Sequence, residues 1–179
     1  PRRQRQMCIR DSLNNDLLRG KDLGVIEEIW YNSSVDGRKI QGWIAKPPGF
    51  DKEKKYPLIV ENHGGPISNY GDRFSPEILL YSAAGYVVFY PNPRGSTSYG
   101  EEFGNLLYRN YPGDDYHDVM DGVDKMIELG YIDMENLFVT GGSAGGIMTA
   151  WIIGKTDRFK ASAVIKPVMN WISKTLVAV

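Results

Sequence analysis

The sequence is short of cysteine, histidine and long apolar runs, and each shortage limits what the chain can be. Cys8 is the only cysteine among 179 residues, so no disulfide can form within the chain. The cysteine content therefore does not indicate the cellular compartment of the protein. No stretch approaches the roughly 20 apolar residues of a membrane-spanning helix, and no signal-peptide pattern opens the chain. The formal net charge is −1, which gives no reason to expect nucleic acid or an acidic membrane as a partner.

The first residues differ in composition from the rest. Residues 1–10 hold four arginines and no acid. A basic arm for nucleic acid and a solvated, disordered tail are the two alternatives, and the composition favours the tail. Because their letters also resemble translated sequencing adapter, we interpret residues 1–12 as a non-native or disordered tail.

From residue 25 onward, strand patterns alternate with helix patterns. Asp36-Gly37 between two alternating runs predicts a β-hairpin. Ser75 followed by Pro76 predicts a helix start, and Asp114 or Asp115 is predicted to cap a later helix. Strands are predicted at residues 25–31, 39–45, 57–62, 86–90, 137–139 and 159–165, and the uncharged run 175–179 is β-prone. This alternation predicts an α/β fold, with a mostly parallel sheet covered by helices on both faces.

The most informative segment is residues 140–146, with the letters TGGSAGG, between a strand pattern and a helix pattern. A G-x-S-x-G motif in that context is typical of the nucleophile elbow, a sharp turn that presents a serine. We expect Ser143 to have a strained backbone and Gly141 and Gly145 to allow close packing of strand and helix. A helix beginning at the serine would direct free N–H groups towards a developing oxyanion.

The base that such a serine needs is not found downstream of it. The two histidines, His63 and His117, both precede Ser143, whereas an α/β-hydrolase carries its serine, acid and histidine in that order. His63 is interpreted as a structural histidine that holds its loop, with a catalytic base as the alternative. His117 is interpreted as a solvated residue near a helix start.

Four ordered motifs resemble those of prolyl-oligopeptidase-family serine peptidases, closest to the acylaminoacyl-peptidase and dipeptidyl-peptidase-like branch. They are HGGP at residues 63–66, NPRGS at 92–96, the stretch 118–123 and GGSAGG at 141–146. The resemblance covers roughly residues 14–171 and implies an α/β-hydrolase fold that is incomplete at its C-terminal side. It also implies an N-terminal β-propeller in the parent protein, with residues 13–24 as the link from it and residues 25–179 as the N-terminal part of the catalytic domain.

The resemblance assigns roles to individual residues. It implies that Ser143 is the nucleophile and that the backbone N–H of Ala144 is one oxyanion donor. The second donor is Gly65 or, alternatively, Gly64. The acid and the histidine are expected beyond Val179.

Other residues in the motifs keep two interpretations. Arg94 forms either a buried ion pair that holds its loop or a clamp on the substrate. Trp171 either borders the specificity pocket, as the resemblance suggests, or packs in the core. Asp118 and Asp121 are expected to serve the helix start and to anchor a loop.

The resulting hypothesis is a serine peptidase that hydrolyses short or N-blocked peptides through an acyl-enzyme in the full-length parent. The chain by itself is expected to be inactive. A carboxylesterase-like hydrolase and a non-catalytic, hydrolase-like binding domain are the alternatives. The mechanism implies no metal and no organic cofactor, and the partner is a peptide substrate. The sequence leaves the oligomeric state open, and the compartment is either cytoplasmic or periplasmic.

Overall fold

The predicted hairpin opens the part of the chain that the computed structural model describes, residues 18–177. Strands β1 (Val25–Asn32) and β2 (Lys39–Lys46) pair antiparallel. Gly37 has a φ of 73°, and the Ser33 N–H donates to the Arg38 carbonyl at 2.9 Å, which closes the loop between them. The Asp-Gly signal therefore predicted the hairpin correctly. The proposed tail at residues 1–12, and most of the proposed link before Leu18, lie outside the described residues.

Four further strands complete a six-stranded sheet. They are β3 (Tyr56–Asn62), β4 (Val87–Asn92), β5 (Ile132–Gly142) and β6 (Ala161–Ile165). The strand order is β1-β2-β4-β3-β5-β6, and β4, β3, β5 and β6 run parallel to one another. The expected mostly parallel sheet is confirmed. The carboxyl ends of β3, β5 and β6 consequently meet at one edge of the sheet, where the predicted elbow lies.

Five helices accompany the sheet in the described residues. They are α1 (Pro76–Ala83), α2 (Glu101–Asn105), α3 (Asp115–Glu128), α4 (Ala144–Ile153) and α5 (Trp171–Val177). The Ser75 hydroxyl accepts a hydrogen bond from the Ile78 N–H at 3.4 Å and caps α1 as predicted. None of the helices in residues 18–177 combines the length and the apolarity that crossing a membrane requires.

Two local expectations are met only in part. Asp114 occupies the N-cap position of α3 as predicted, but its side chain makes no cap hydrogen bond and instead lies 3.7 Å from the Arg94 guanidinium. Asp115 does not cap the helix either, because its carboxylate accepts from the Gly113 N–H at 2.6 Å. The β-prone run from Thr175 is helical as far as Val177, since it continues α5.

Helices cover both faces of the sheet. On one face α3 and α4 pack over a large apolar cluster that includes Phe89, Val119 and Ile152. On the other face α1 packs over a smaller cluster that includes Ile59, Ile78 and Tyr90. Both cores support the carboxyl ends of β3 and β5. Strand β6 is the edge strand of the described residues, and Ile165 at its end is 38% exposed.

Candidate active site

Ser143 lies at the turn between β5 and α4 with its side chain exposed. Its backbone has φ 58° and ψ −115°, a positive φ that a residue with a side chain rarely adopts. The Ser143 N–H donates to the Ile165 carbonyl at 2.9 Å, and its own carbonyl accepts from the Ile147 N–H at 3.0 Å. These two bonds hold the strained turn, and the backbone is strained as the sequence motif predicts.

The glycines around Ser143 allow backbones to approach more closely than side chains permit. A Cβ on Gly145 would lie 2.0 Å from the Asn62 carbonyl oxygen at the end of β3. A Cβ on Gly141 would lie 2.6 Å from the Gly145 carbonyl oxygen, and one on Gly146 would lie 2.5 Å from that of Ile165. Positions 141 and 145 therefore require glycine, because the first turn of α4 packs directly on the backbones of β3 and β5.

Gly142 is different, because a Cβ there would meet no atom within 4 Å. It is the variable position between the first glycine of the motif and the serine. The structure thus separates the glycines that packing requires from one that it does not.

The HGGP loop runs directly beside the elbow. A Cβ on Gly64 would lie 3.1 Å from the Gly142 carbonyl oxygen and 3.5 Å from the Ser143 Cβ. Gly65 has a φ of 122° and precedes a cis peptide bond to Pro66. This position supports Gly64 or Gly65 as the second oxyanion donor. Ala144 begins α4, where backbone N–H groups have no partner within the helix.

The contacts of both histidines are with residues other than Ser143. His63 donates from Nδ1 to the Gly64 carbonyl at 2.8 Å, and its Nε2 lies 2.9 Å from the Ser96 hydroxyl. Burial lowers the pKa of His63. These contacts support the interpretation of His63 as the residue that holds the HGGP loop. His117 is exposed on α3 and contacts the ring of Tyr116.

Arg94 forms the buried ion pair that was one of its two interpretations. The guanidinium is 3% exposed, and its Nε and Nη2 donate to the two carboxylate oxygens of Asp118, each at 2.9 Å. Nη2 also donates to the Ser33 hydroxyl at 2.8 Å, and Nη1 lies 3.4 Å from the Asp36 carboxylate. Because the guanidinium is buried among these partners, we leave Arg94 out of the proposed substrate site.

Two of the acids of α3, Asp118 and Asp121, hold neighbouring loops. The Arg94 backbone N–H also donates to Asp118, at 2.8 Å, so this carboxylate fixes the loop after β4. Asp121 accepts from the Ser34 N–H at 2.7 Å and fixes the hairpin loop. The expected anchoring of loops is therefore what the structure shows.

Trp171 is not a core residue among the described ones. It is 52% exposed at the start of α5, and its ring lies edge-on to that of Tyr111 with the centroids 6.5 Å apart. The Tyr111 hydroxyl donates to the Ala144 carbonyl at 2.5 Å. Tyr111 thus connects Trp171 to the first turn of α4, which supports a place for Trp171 at the border of the substrate pocket. The sequence analysis did not single out Tyr111.

Glu61 is the second residue that the sequence analysis missed. It lies in β3, one residue before Asn62, and is 7% exposed. Burial, reinforced by the nearby charge of Glu77, raises the pKa of Glu61 to about 7. An acid in an otherwise apolar, buried strand pattern was the available signal. A cavity of about 580 Å³ extends from Glu61 to Gly64 and Gly142, the residue before Ser143.

No group of three or more histidine, cysteine, aspartate or glutamate side chains in the described part of the chain is arranged to hold a metal ion. An exposed serine next to the N-terminus of α4 lies at this edge of the sheet.

The strand order, the helices on both faces and the serine at the sharp turn define an α/β-hydrolase. The chain belongs to the prolyl oligopeptidase family, whose sequence model matches residues 72–178. That match includes the NPRGS loop, the elbow and Trp171. A model of the acetyl xylan esterase family matches residues 26–114, which include the HGGP loop but end before the elbow.

Individual proteins and a solved structure are also similar to this chain. The chain is 45% identical over 161 residues to "Uncharacterized peptidase YuxL" of Bacillus subtilis, covering 89% of this chain and 24% of the relative. It is 37% identical over 151 residues to dipeptidyl-peptidase 5 of Schizosaccharomyces pombe, covering 80% of this chain and 22% of the relative. An acylaminoacyl peptidase structure from Pyrococcus horikoshii superimposes with a TM-score of 0.86 at 30% identity, covering 92% of this chain and 27% of that one. The chain thus spans about a quarter of the length of these relatives.

We predict that Gly145→Ala destabilises the chain, because the added Cβ would overlap the Asn62 carbonyl and push α4 away from β3. The expected loss in the free energy of unfolding is about 2–3 kcal/mol, measured by urea unfolding. Gly142→Ala is the matched control, since it adds the same methyl group into open space. We expect it to change stability by no more than about 0.5 kcal/mol. Equal effects of the two substitutions would contradict the close approach of strand and helix.

The raised pKa of Glu61 predicts a pH-dependent stability. In the folded chain the Glu61 carboxyl keeps its proton up to about pH 7, whereas in the unfolded chain it loses that proton near pH 4.5. The free energy of unfolding therefore falls as the pH rises from about 4.5 to about 7. Asp115, with its pKa raised to about 6 by burial, acts in the same direction from 3.8 to about 6.

Glu61→Gln should remove the Glu61 contribution, so that the variant gains about 2.5 kcal/mol over the parent sequence between pH 5 and pH 8. Urea unfolding at the two pH values measures this difference. Glu53→Gln, whose side chain is 80% exposed, is the control and should keep the parent pH dependence. Parallel pH profiles for Glu61→Gln and the parent would rule out a protonated, buried Glu61.

Proposed function

We propose that the protein containing this chain is a serine peptidase and that Ser143 is its nucleophile. The observation that carries the proposal is the strained, exposed Ser143 at the turn between β5 and α4, enclosed by glycines that packing requires. A strained backbone at an exposed serine is unfavourable for stability alone, so its presence favours a catalytic role. The family match over the elbow supports the same reaction class.

In the proposed mechanism the Ser143 Oγ attacks the carbonyl carbon of the scissile peptide bond while a histidine outside residues 1–179 takes the hydroxyl proton. The oxyanion that forms accepts hydrogen bonds from the N–H of Ala144 and from that of Gly65 or Gly64, each worth about 3 kcal/mol of the barrier. As the tetrahedral intermediate collapses, that histidine passes the proton to the leaving nitrogen, the C–N bond breaks, and an acyl-enzyme on Ser143 remains, which water then hydrolyses. His63 supports this step indirectly, since its bonds to Gly64 and Ser96 hold the donor loop.

The base for Ser143 and the acid that orients it are proposed to come from sequence outside residues 1–179. Both histidines of the chain precede Ser143, and His63 is engaged with Gly64 and Ser96. The relatives are about four times longer than the part that this chain covers, which leaves ample sequence for both residues. We extend the same proposal to a β-propeller domain in the longer protein.

The proposed substrates are short or N-blocked peptides. The names of the relatives, a dipeptidyl-peptidase and an acylaminoacyl peptidase, support this class. Trp171 is proposed to border the pocket for the residue at the cleaved bond, since it contacts Tyr111 next to Ala144. An esterase is the second candidate, favoured by the acetyl xylan esterase match over residues 26–114. We prefer the peptidase because the peptidase match includes Ser143 itself.

Competing assays on peptide and p-nitrophenyl ester substrates test the proposal. We expect the longer protein to cleave peptides with a higher kcat/KM than matched esters. The 179-residue chain alone should show no measurable turnover, because loss of a triad member leaves only the weak residual rate of binding and the oxyanion site. Turnover by the isolated chain would contradict the proposal that the base lies outside residues 1–179. A preference for esters would favour the esterase.

A further inference from the structure

The cavity beside the elbow contains a buried carboxylate that the proposed mechanism does not use. Gly64 and Gly142 line the cavity on the side of the nucleophile, and Glu61 lines it further in. Side chains alternate between the two faces of a strand. Asn62 donates from its amide to the Thr149 hydroxyl of α4 at 3.2 Å, so Glu61 lies on the opposite face, towards α1.

The carboxylate of Glu61 makes fewer hydrogen bonds than its two oxygens can accept. Its Oε1 accepts a long hydrogen bond of 3.5 Å from the Tyr70 hydroxyl. Its Oε2 is buried and has no hydrogen-bond partner among residues 18–177. A buried carboxylate oxygen without a partner loses its hydration without compensation, which makes the position costly unless a ligand supplies a donor.

The other residues of the cavity wall favour a positively charged group as the hydrogen-bond donor to Glu61. Glu77 is a second acid in the lining, and its charge disfavours ionisation of Glu61. The rings of Tyr70 and Tyr90 also line the cavity, and aromatic faces attract ammonium groups. Arg73 is the cation of the lining, and its side chain is exposed and donates to the Asn69 carbonyl rather than to Glu61.

We propose that this cavity binds a positively charged ammonium group of the peptide substrate, with Glu61 as its counter-ion. This inference rests on the proposed function, because the ligand is a group of the molecule that Ser143 attacks. The ammonium can be the free amino terminus of the peptide or the end of a lysine side chain. Binding gives the free Oε2 of Glu61 a donor, and the positive charge favours the ionised form of Glu61 that burial and Glu77 disfavour.

A specificity measurement on the longer protein tests the inference. Two pairs of peptides differ only in charge: a free and an acetylated amino terminus, and a lysine and a norleucine at one position. The parent protein should prefer the charged member of at least one pair, and the pair that shows the preference identifies the source of the ammonium. Glu61→Gln should lower that kcat/KM ratio by roughly tenfold or more.

A purely structural role for Glu61 would lower kcat/KM for both members of a pair equally and leave their ratio unchanged. An unchanged ratio in Glu61→Gln for both pairs overturns the inference, as does the absence of any preference in the parent. Glu53→Gln removes the same charge from an exposed loop and should keep the parent ratio.

A binding measurement separates this inference from the proposed function. n-Butylammonium chloride should raise the melting temperature of the longer protein in a saturable way, compared with sodium chloride at equal ionic strength. The shift should disappear in Glu61→Gln and persist in Glu53→Gln. If no peptide is cleaved but the amine binds, the peptidase proposal fails while the ammonium site stands. If the parent shows no saturable shift, the ammonium site is wrong.

Discussion

The close approach of α4 to the end of β3 is the constraint on which the candidate site depends. Gly145 leaves no room for a Cβ next to the Asn62 carbonyl, and this contact fixes where the helix begins. Ser143 then has to complete the turn with a positive φ, held by its bonds to Ile165 and Ile147. The same contact brings the HGGP loop, which follows Asn62, alongside Ser143. One backbone contact thus positions the proposed nucleophile, the helix N-terminus and the loop of the proposed second donor.

A second set of interactions fixes the loops on the α3 side of the sheet. Asp118 binds the side chain and the backbone N–H of Arg94, and its carbonyl accepts from the Tyr31 hydroxyl at 2.9 Å. Arg94 in turn reaches Ser33 and Asp36 in the hairpin loop. The loop after β4 also carries Ser96, the partner of His63. Because His63 holds the HGGP loop, the ion pair supports the proposed oxyanion site from a distance. Arg94 thus has a structural role in its motif through Asp118 and the hairpin loop.

The sequence predicted those features that depend on local backbone geometry. The hairpin at Asp36-Gly37, the start of α1 at Ser75 and the elbow at Ser143 each require particular residues at fixed positions, so their patterns are specific. The sequence could not decide between the ion pair and the substrate clamp for Arg94. Its partner Asp118 is 24 residues away in the chain, and the burial of the pair depends on tertiary packing. The burial of Glu61 likewise depends on α1 and on the loop that carries Tyr70. Capping by Asp114 failed because a nearby guanidinium attracts the same carboxylate.

The central claim, that the elbow presents Ser143 as the nucleophile, is tested most directly by locating a covalent adduct. The longer protein is treated with a fluorophosphonate, digested and analysed by mass spectrometry. The account predicts one stoichiometric phosphonyl group on the peptide that contains Ser143, and none in the Ser143→Ala variant. An adduct on another serine, or an active peptidase in which Ser143 stays unmodified, would contradict it.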